Sequence, residues 1–142
     1  KTSFAYPGEM EFAARADAYG IRQDDHLYLT LPDGLGDLLD LKTSQRENPF
    51  YIEKPVRKTF TYQIGLPDGW QPVLTPESFR IELPNGAGVV EVGVGTMPGK
   101  LLIAQRAELN PALIRAEDYE QLLKINNRLT QPAARTILLR KM

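Results

Sequence analysis

Side chains able to do chemistry are sparse in this chain, and their spacing limits a catalytic reading. Histidine occurs once, at His26, directly after Asp24 and Asp25. A general acid or base must be held against its substrate, and a histidine beside two acids at the start of an alternating run reads as an exposed turn residue. There is no cysteine, so the segment has no thiol nucleophile, no thiolate metal ligand and no disulfide. Serine stands at Ser3, Ser44 and Ser78, never within a Gly-x-Ser-x-Gly elbow, which leaves few members for a nucleophile, histidine and acid triad. The acid pairs Asp24-Asp25, Glu117-Asp118 and Glu9 with Glu11 lack calcium-loop spacing and read as solvated surface acids. Gly86-Ala87-Gly88 and Gly93-Val94-Gly95 neither open a helix nor precede Lys-Ser/Thr, so they read as hairpin or bulge glycines, not a phosphate loop. No catalytic residue, cofactor-binding motif or metal-ligand set is expected, and the segment is read as a non-enzyme.

Binding through aromatic rings is the stronger alternative. Tyr6, Tyr19, Tyr28, Phe50, Tyr51 and Trp70 are rings of the kind that stack on apolar sugar faces, and Trp70, Phe50 and Tyr51 are the candidate ligand or interface aromatics. Trp70 follows the turn Pro67-Asp68-Gly69, where a ring can be exposed, but a sandwich of this size also needs large rings in its core. A row of exposed rings including Trp70 would mark a carbohydrate-binding module.

The elements that would carry these residues follow from hydrophobic period. In Thr59-Phe60-Thr61-Tyr62-Gln63-Ile64, alternation at two residues sends Phe60, Tyr62 and Ile64 to a core and the polar residues to solvent. The strand ends at Leu66-Pro67-Asp68-Gly69, where proline presets φ and glycine supplies a positive φ. Similar runs cover Met10 to Ala16, His26 to Leu31, Phe79 to Leu83, Gly88 to Val94, Leu101 to Leu109 and Thr136 to Arg140. They are punctuated by Pro32-Asp33-Gly34, Pro84-Asn85-Gly86 and Met97-Pro98-Gly99. Short strands with turns between them, and no helix between consecutive strands, predict a mostly β chain: an antiparallel Ig-like β-sandwich. One segment changes period. From Ala116 to Leu129 the residues Tyr119, Leu122, Ile125 and Leu129 recur at helical spacing, with acids in the first turn and Lys124 and Arg128 towards the end. Pro132 stops this amphipathic helix, and a final strand follows. The helix is expected to pack over one edge or end of the sandwich, and the irregular stretch from Gly34 to Val56 reads as a long connection between sheets.

The 142 residues suit a single domain covering residues 1–142. A hydrophobic fraction of 42% with 25% charged residues is that of a globular chain with a real core. Seventeen Lys and Arg against eighteen Asp and Glu give a net charge of -1, with no basic run to hold nucleic acid or an acidic membrane surface. No apolar stretch is long enough for a helical membrane span. The chain begins at Lys1 without a methionine, which suggests a piece of a longer protein.

The order of segments carries a resemblance. Arg-x-x-Pro-Phe (Arg46 to Phe50) precedes an extended strand closing on Leu66-Pro67-Asp68-Gly69-Trp70. Then come the alternating strand Leu101 to Leu109, the helix start Ala116-Glu117-Asp118-Tyr119-Glu120-Gln121-Leu122, and a terminal Ile137-Leu138-Leu139-Arg140-Lys141. From about Tyr19 to Met142 this resembles the uncharacterised domain at the C-terminus of bacterial transglutaminase-like proteins, where it follows a papain-type core and another β domain. The resemblance implies that the catalytic Cys, His and Asp belong to that preceding domain, the expected partner, and that none maps onto this chain. It implies an exported, cell-envelope or secreted (periplasmic) bacterial parent. It also implies a non-catalytic accessory role: packing on the core, spacing it or shaping access to its cleft.

Overall fold

The computed structural model describes residues 19–142 except 33 and 37, together with residues 13 and 14 and the backbone of 2, 3, 9 and 10. In chain order the strands are β1 (Thr2–Ser3), β2 (Glu9–Met10), β3 (Ile21–Gln23), β4 (His26–Thr30), β5 (Phe50–Ile52), β6 (Val56–Gly65), β7 (Trp70–Leu74), β8 (Phe79–Glu82), β9 (Gly88–Met97), β10 (Lys100–Leu109), β11 (Ala112–Ile114) and, after the helix α1 (Tyr119–Thr130), β12 (Thr136–Lys141). Mostly β, antiparallel, with one short helix followed by a C-terminal strand, this is the fold class expected from the sequence. Of the run expected over Met10 to Ala16, Met10 ends β2, residues 13 and 14 lie in no strand, and 11, 12, 15 and 16 lie outside the described residues, as does Tyr6.

Two four-stranded sheets dominate. The first has the order β6-β10-β9-β8 and the second β3-β4-β12-β7, while β5 with β11 and β1 with β2 form two small ribbons. The hairpin of β9 and β10 turns at Pro98-Gly99, where Gly99 takes φ 71° as the tight connection requires. Strand β10 is the spine of the molecule, pairing along ten residues with both β6 and β9. Its alternate residues Leu101, Ile103, Gln105, Ala107 and Leu109 are all buried, as period-two patterning demands.

The long strands of the first sheet are covered in two parts. Leu101 and Ile103 pack with Ile137, Leu139 and Leu31 under the second sheet, joined by Tyr62, Ile64 and Trp70. Ala107, Leu109 and Val90 pack instead under α1, through its buried Tyr119, Leu122, Ile125 and Leu129. The helix therefore closes the end of the sandwich that the shorter second sheet leaves open. Its apolar stripe is the one read from the sequence, with the first turn, Ala116–Asp118, wound as a 3-10 turn. Pro132 opens another 3-10 turn that leads into β12.

The stretch from Gly34 to Val56 is largely irregular, as expected, but it is also part of the core. Leu35, Leu39 and Ile52 are buried in the cluster under α1. Two buried amides tie the connection down: Leu35 N–H donates to Gln105 Oε1 at 3.2 Å and Leu39 N–H to Asn126 Oδ1 at 3.4 Å. The Tyr119 hydroxyl adds a bond to the Thr43 carbonyl at 2.7 Å. These bonds satisfy backbone groups that a loop over a core would otherwise bury unpaired.

Candidate functional site

The outer faces of the two sheets are built differently. On the first sheet Arg80, Glu91 and Arg106 stand in register across β8, β9 and β10. Glu91 pairs with Arg80 at 3.5 Å and with Arg106 at 3.1 Å, and Arg106 reaches Glu108 at 3.2 Å. That is the polar outer surface expected of an antiparallel sheet with one face in water.

On the second sheet the same register logic gives an apolar row. Because Leu27, Leu29, Ile137 and Leu139 fill the core, Tyr28 and Leu138 are carried to the opposite face. Ile21 pairs with Tyr28 and Tyr28 with Leu138; a register shift between Leu138 and Leu139 then sets Leu74 opposite Leu138, so the row crosses all four strands without a polar break. Ile21 is 72% exposed, Leu74 50% and Tyr28 42%. Val73 and Tyr19 extend the exposed apolar surface, and the Tyr19 hydroxyl is held by the Thr30 carbonyl. Single exposed apolar side chains need no explanation, but a contiguous registered row is the usual mark of an interaction surface.

A second feature lies where the two halves of the core meet. A cavity of about 320 Å³ opens between the connection at Gly34–Gly36, the link from β7 to β8, and the C-terminal end of α1. Gln105, Phe79 and Val92 lie on the sheet side, with Leu35 and Leu129 on the walls. At its polar end, Arg135 spans the Leu31 carbonyl through Nε and Nη2 at 3.0 and 2.8 Å. Arg128 lies over the Phe79 ring, 4.1 Å from its centroid, and donates to Glu77 at 3.3 Å.

The aromatics picked out in the sequence are not brought together. Trp70 is half-buried against the cluster beneath the second sheet, its ring under the Arg22 guanidinium at 5.7 Å. Phe50 packs into the other cluster, beside Tyr119 with ring centroids 6.1 Å apart. Tyr51, its neighbour on β5, faces solvent. The row of exposed rings that a sugar-stacking surface needs is not formed by these three. The Arg-x-x-Pro-Phe element has a local structural role: Arg46 donates to the carbonyls of Asn48 and Pro49, both at 3.2 Å, and stacks over Phe50 at 5.3 Å. His26 opens β4 after the turn at Asp24-Asp25 and pairs in register with Arg140. Among the described residues no three of His, Asp or Glu gather as metal ligands, and no helix is long and apolar enough to cross a membrane. Arg115, its pKa raised by hydrogen bonding to Asp118 and by the nearby Glu117, is an exposed ion-pair residue at the helix start.

Sequence reasoning missed the apolar row and the cavity. Tyr28 was visible as a candidate ring, but its alignment with Ile21, Leu138 and Leu74 depends on pairing that no local pattern encodes. Gln105 did carry a signal, as a polar residue on the inward register of an otherwise apolar strand.

Residues 25–139 match the family model described as a domain of unknown function with a solved structure, DUF3858. The fold is similar to part of a crystal structure described as that of a "putative protease" from Parabacteroides distasonis ATCC 8503, with a TM-score of 0.67 and 20% sequence identity. The similarity covers 83% of this chain and 24% of that one, so this chain spans about a quarter of that relative's length. No curated protein matches.

Proposed function

We propose that this chain, which belongs to the DUF3858 family, is a non-catalytic accessory domain that docks on a neighbouring domain of a longer polypeptide. The observation that carries the reading is the apolar row Ile21, Tyr28, Leu138 and Leu74 on the outer face of the second sheet. A sheet that meets water on one face alternates apolar and polar residues, as the first sheet does; a row that breaks this rule on every strand suits burial against another surface. Its position agrees with an entry from a preceding domain, because β3 and β4 are the first strands of that sheet. In the solved relative, a similar fold makes up 24% of a longer chain. The finer identity rests on the segment order quoted above: the neighbour is a transglutaminase-like core with its own Cys, His and Asp, in an exported, envelope-associated protein. Its chemistry then belongs to the core, and this domain positions it.

Amide hydrogen exchange on the whole gene product and on this chain alone tests the reading. Docking predicts exchange at least about tenfold slower in the whole protein over Ile21–Gln23, His26–Thr30 and Trp70–Leu74, with the outer strands of the first sheet unchanged. Equal rates on both sheets, or a gene product no longer than this chain, would overturn it.

A further inference from the structure

The seam cavity adjoins the docking face, sharing Leu74 with it, and holds a polar group, Gln105, whose bonding within the protein is incomplete. Gln105 is 7% exposed, and the bond its Oε1 accepts from Leu35 N–H fixes which end of the amide carries hydrogens. Its Nε2 has no hydrogen-bond partner among the described residues, yet no buried side-chain nitrogen or oxygen there is sealed off without one. The nitrogen therefore faces open space, and the open space at Gln105 is this cavity. In the empty cavity water meets that donor, and a ligand group that accepts from it takes the place of that water.

The remaining walls define that ligand. Arg135 commits Nε and Nη2 to the Leu31 carbonyl, leaving Nη1; Arg128 commits Nη2 to Glu77, leaving Nε and Nη1. The C-terminal end of α1 brings about half a negative charge to the same rim; among the described lining residues the two guanidiniums outweigh it and Glu77 together. The lining also includes the apolar Leu35, Phe79, Val92 and Leu129, with Phe79 directly beneath the Arg128 guanidinium. We infer that the cavity is a binding site for a small carboxylate with an apolar body, whether a free acid or the C-terminal residue of a peptide. The carboxylate accepts from Gln105 Nε2 and the arginines, and the body packs on the apolar wall. A volume of about 320 Å³ holds roughly ten water-sized groups at ~30 Å³ each, the size of a branched or phenyl-substituted acid.

The test is a nitrogen-15 NMR titration of this chain with 4-methylpentanoate and 3-phenylpropanoate, their amides, and tripeptides Ala-Ala-Leu and Ala-Ala-Phe with free or amidated C-termini. The expected result is saturable shifts of the Gln105 side-chain NH₂ and the Leu35 and Leu129 amides, with the acids binding at least about fivefold tighter than the matching amides. Binding of the free acids alone assigns a small-molecule source, and binding of the free-ended tripeptides alone a peptide C-terminus. Gln105→Met should weaken binding at least about tenfold. Where that variant folds poorly, Gln105→Glu keeps the shape and the acceptor for Leu35 N–H while removing the donor, and should weaken binding as much. No saturation by any probe at about 10 mM, equal affinity for acids and amides, or unchanged affinity in Gln105→Glu overturns the assignment.

Discussion

Gly88 shows what a single backbone position contributes. It opens β9 at φ 144°, and a Cβ added there would lie 1.8 Å from the Glu108 carbonyl oxygen. Neither atom can move without separating β9 from β10, the most extensively paired strands of the first sheet. Gly88→Ala should therefore destabilise the chain by at least about 3 kcal/mol, combining a conformation that side chains avoid with a backbone clash. Gly93, five residues further along the same strand, is the internal control. It has an ordinary φ and nothing within 4 Å of an added Cβ, so Gly93→Ala should be neutral or stabilise by up to about 1 kcal/mol through the unfolded chain. Urea unfolding of the two variants separates the cases; equal effects would mean that the close approach at Gly88 is not what holds the strand start. In the sequence both are hairpin or bulge glycines of equal standing, because the crowding at Gly88 comes from a strand twenty residues away.

Among the elements, β12 has an importance that its terminal place in the chain hides. It is the central partner of both β4 and β7, and its Ile137 and Leu139 are fully buried beneath the sheet. Removing it would break two ladders and expose the Leu101 and Ile103 side of β10 at once. A chain ending at Arg135 should lose cooperative thermal unfolding altogether, although terminal segments are ordinarily the most dispensable. Retention of a sharp transition would show that α1 and the first sheet fold without the second. Strands with strong alternation, β4, β6, β8, β9, β10 and β12, were legible from their residues, as was the stripe of α1. The short strands β3, β5 and β11 were not, since three residues carry no readable period. Strand β7 was concealed by Pro72, which a strand tolerates at a sheet edge, where β7 lies.

At the scale of the whole molecule, the same sheet is asked to do two things: bury Leu27, Leu29, Ile137 and Leu139 on one face and present Ile21, Tyr28, Leu138 and Leu74 on the other. The inward set could be read from alternation. The outward row could not, because Tyr28 and Leu138 are more than a hundred residues apart in sequence and meet only once β4 and β12 pair. The two sets make opposite demands on mutation. Ile21→Glu with Leu74→Glu replaces the two ends of the row at positions that are at least half exposed, so the isolated chain should keep its stability to within about 1 kcal/mol. In the whole gene product the same pair would force two carboxylates into an apolar interface, where charges without partners are strongly disfavoured. The double variant should then release this domain from its neighbour, read as protease cleavage between the two at least about tenfold faster than in the wild type, while the isolated chain unfolds at the same urea concentration as before. Unchanged cleavage in the whole protein would identify the row as ordinary surface; loss of stability in the isolated chain would show that it supports the sheet itself.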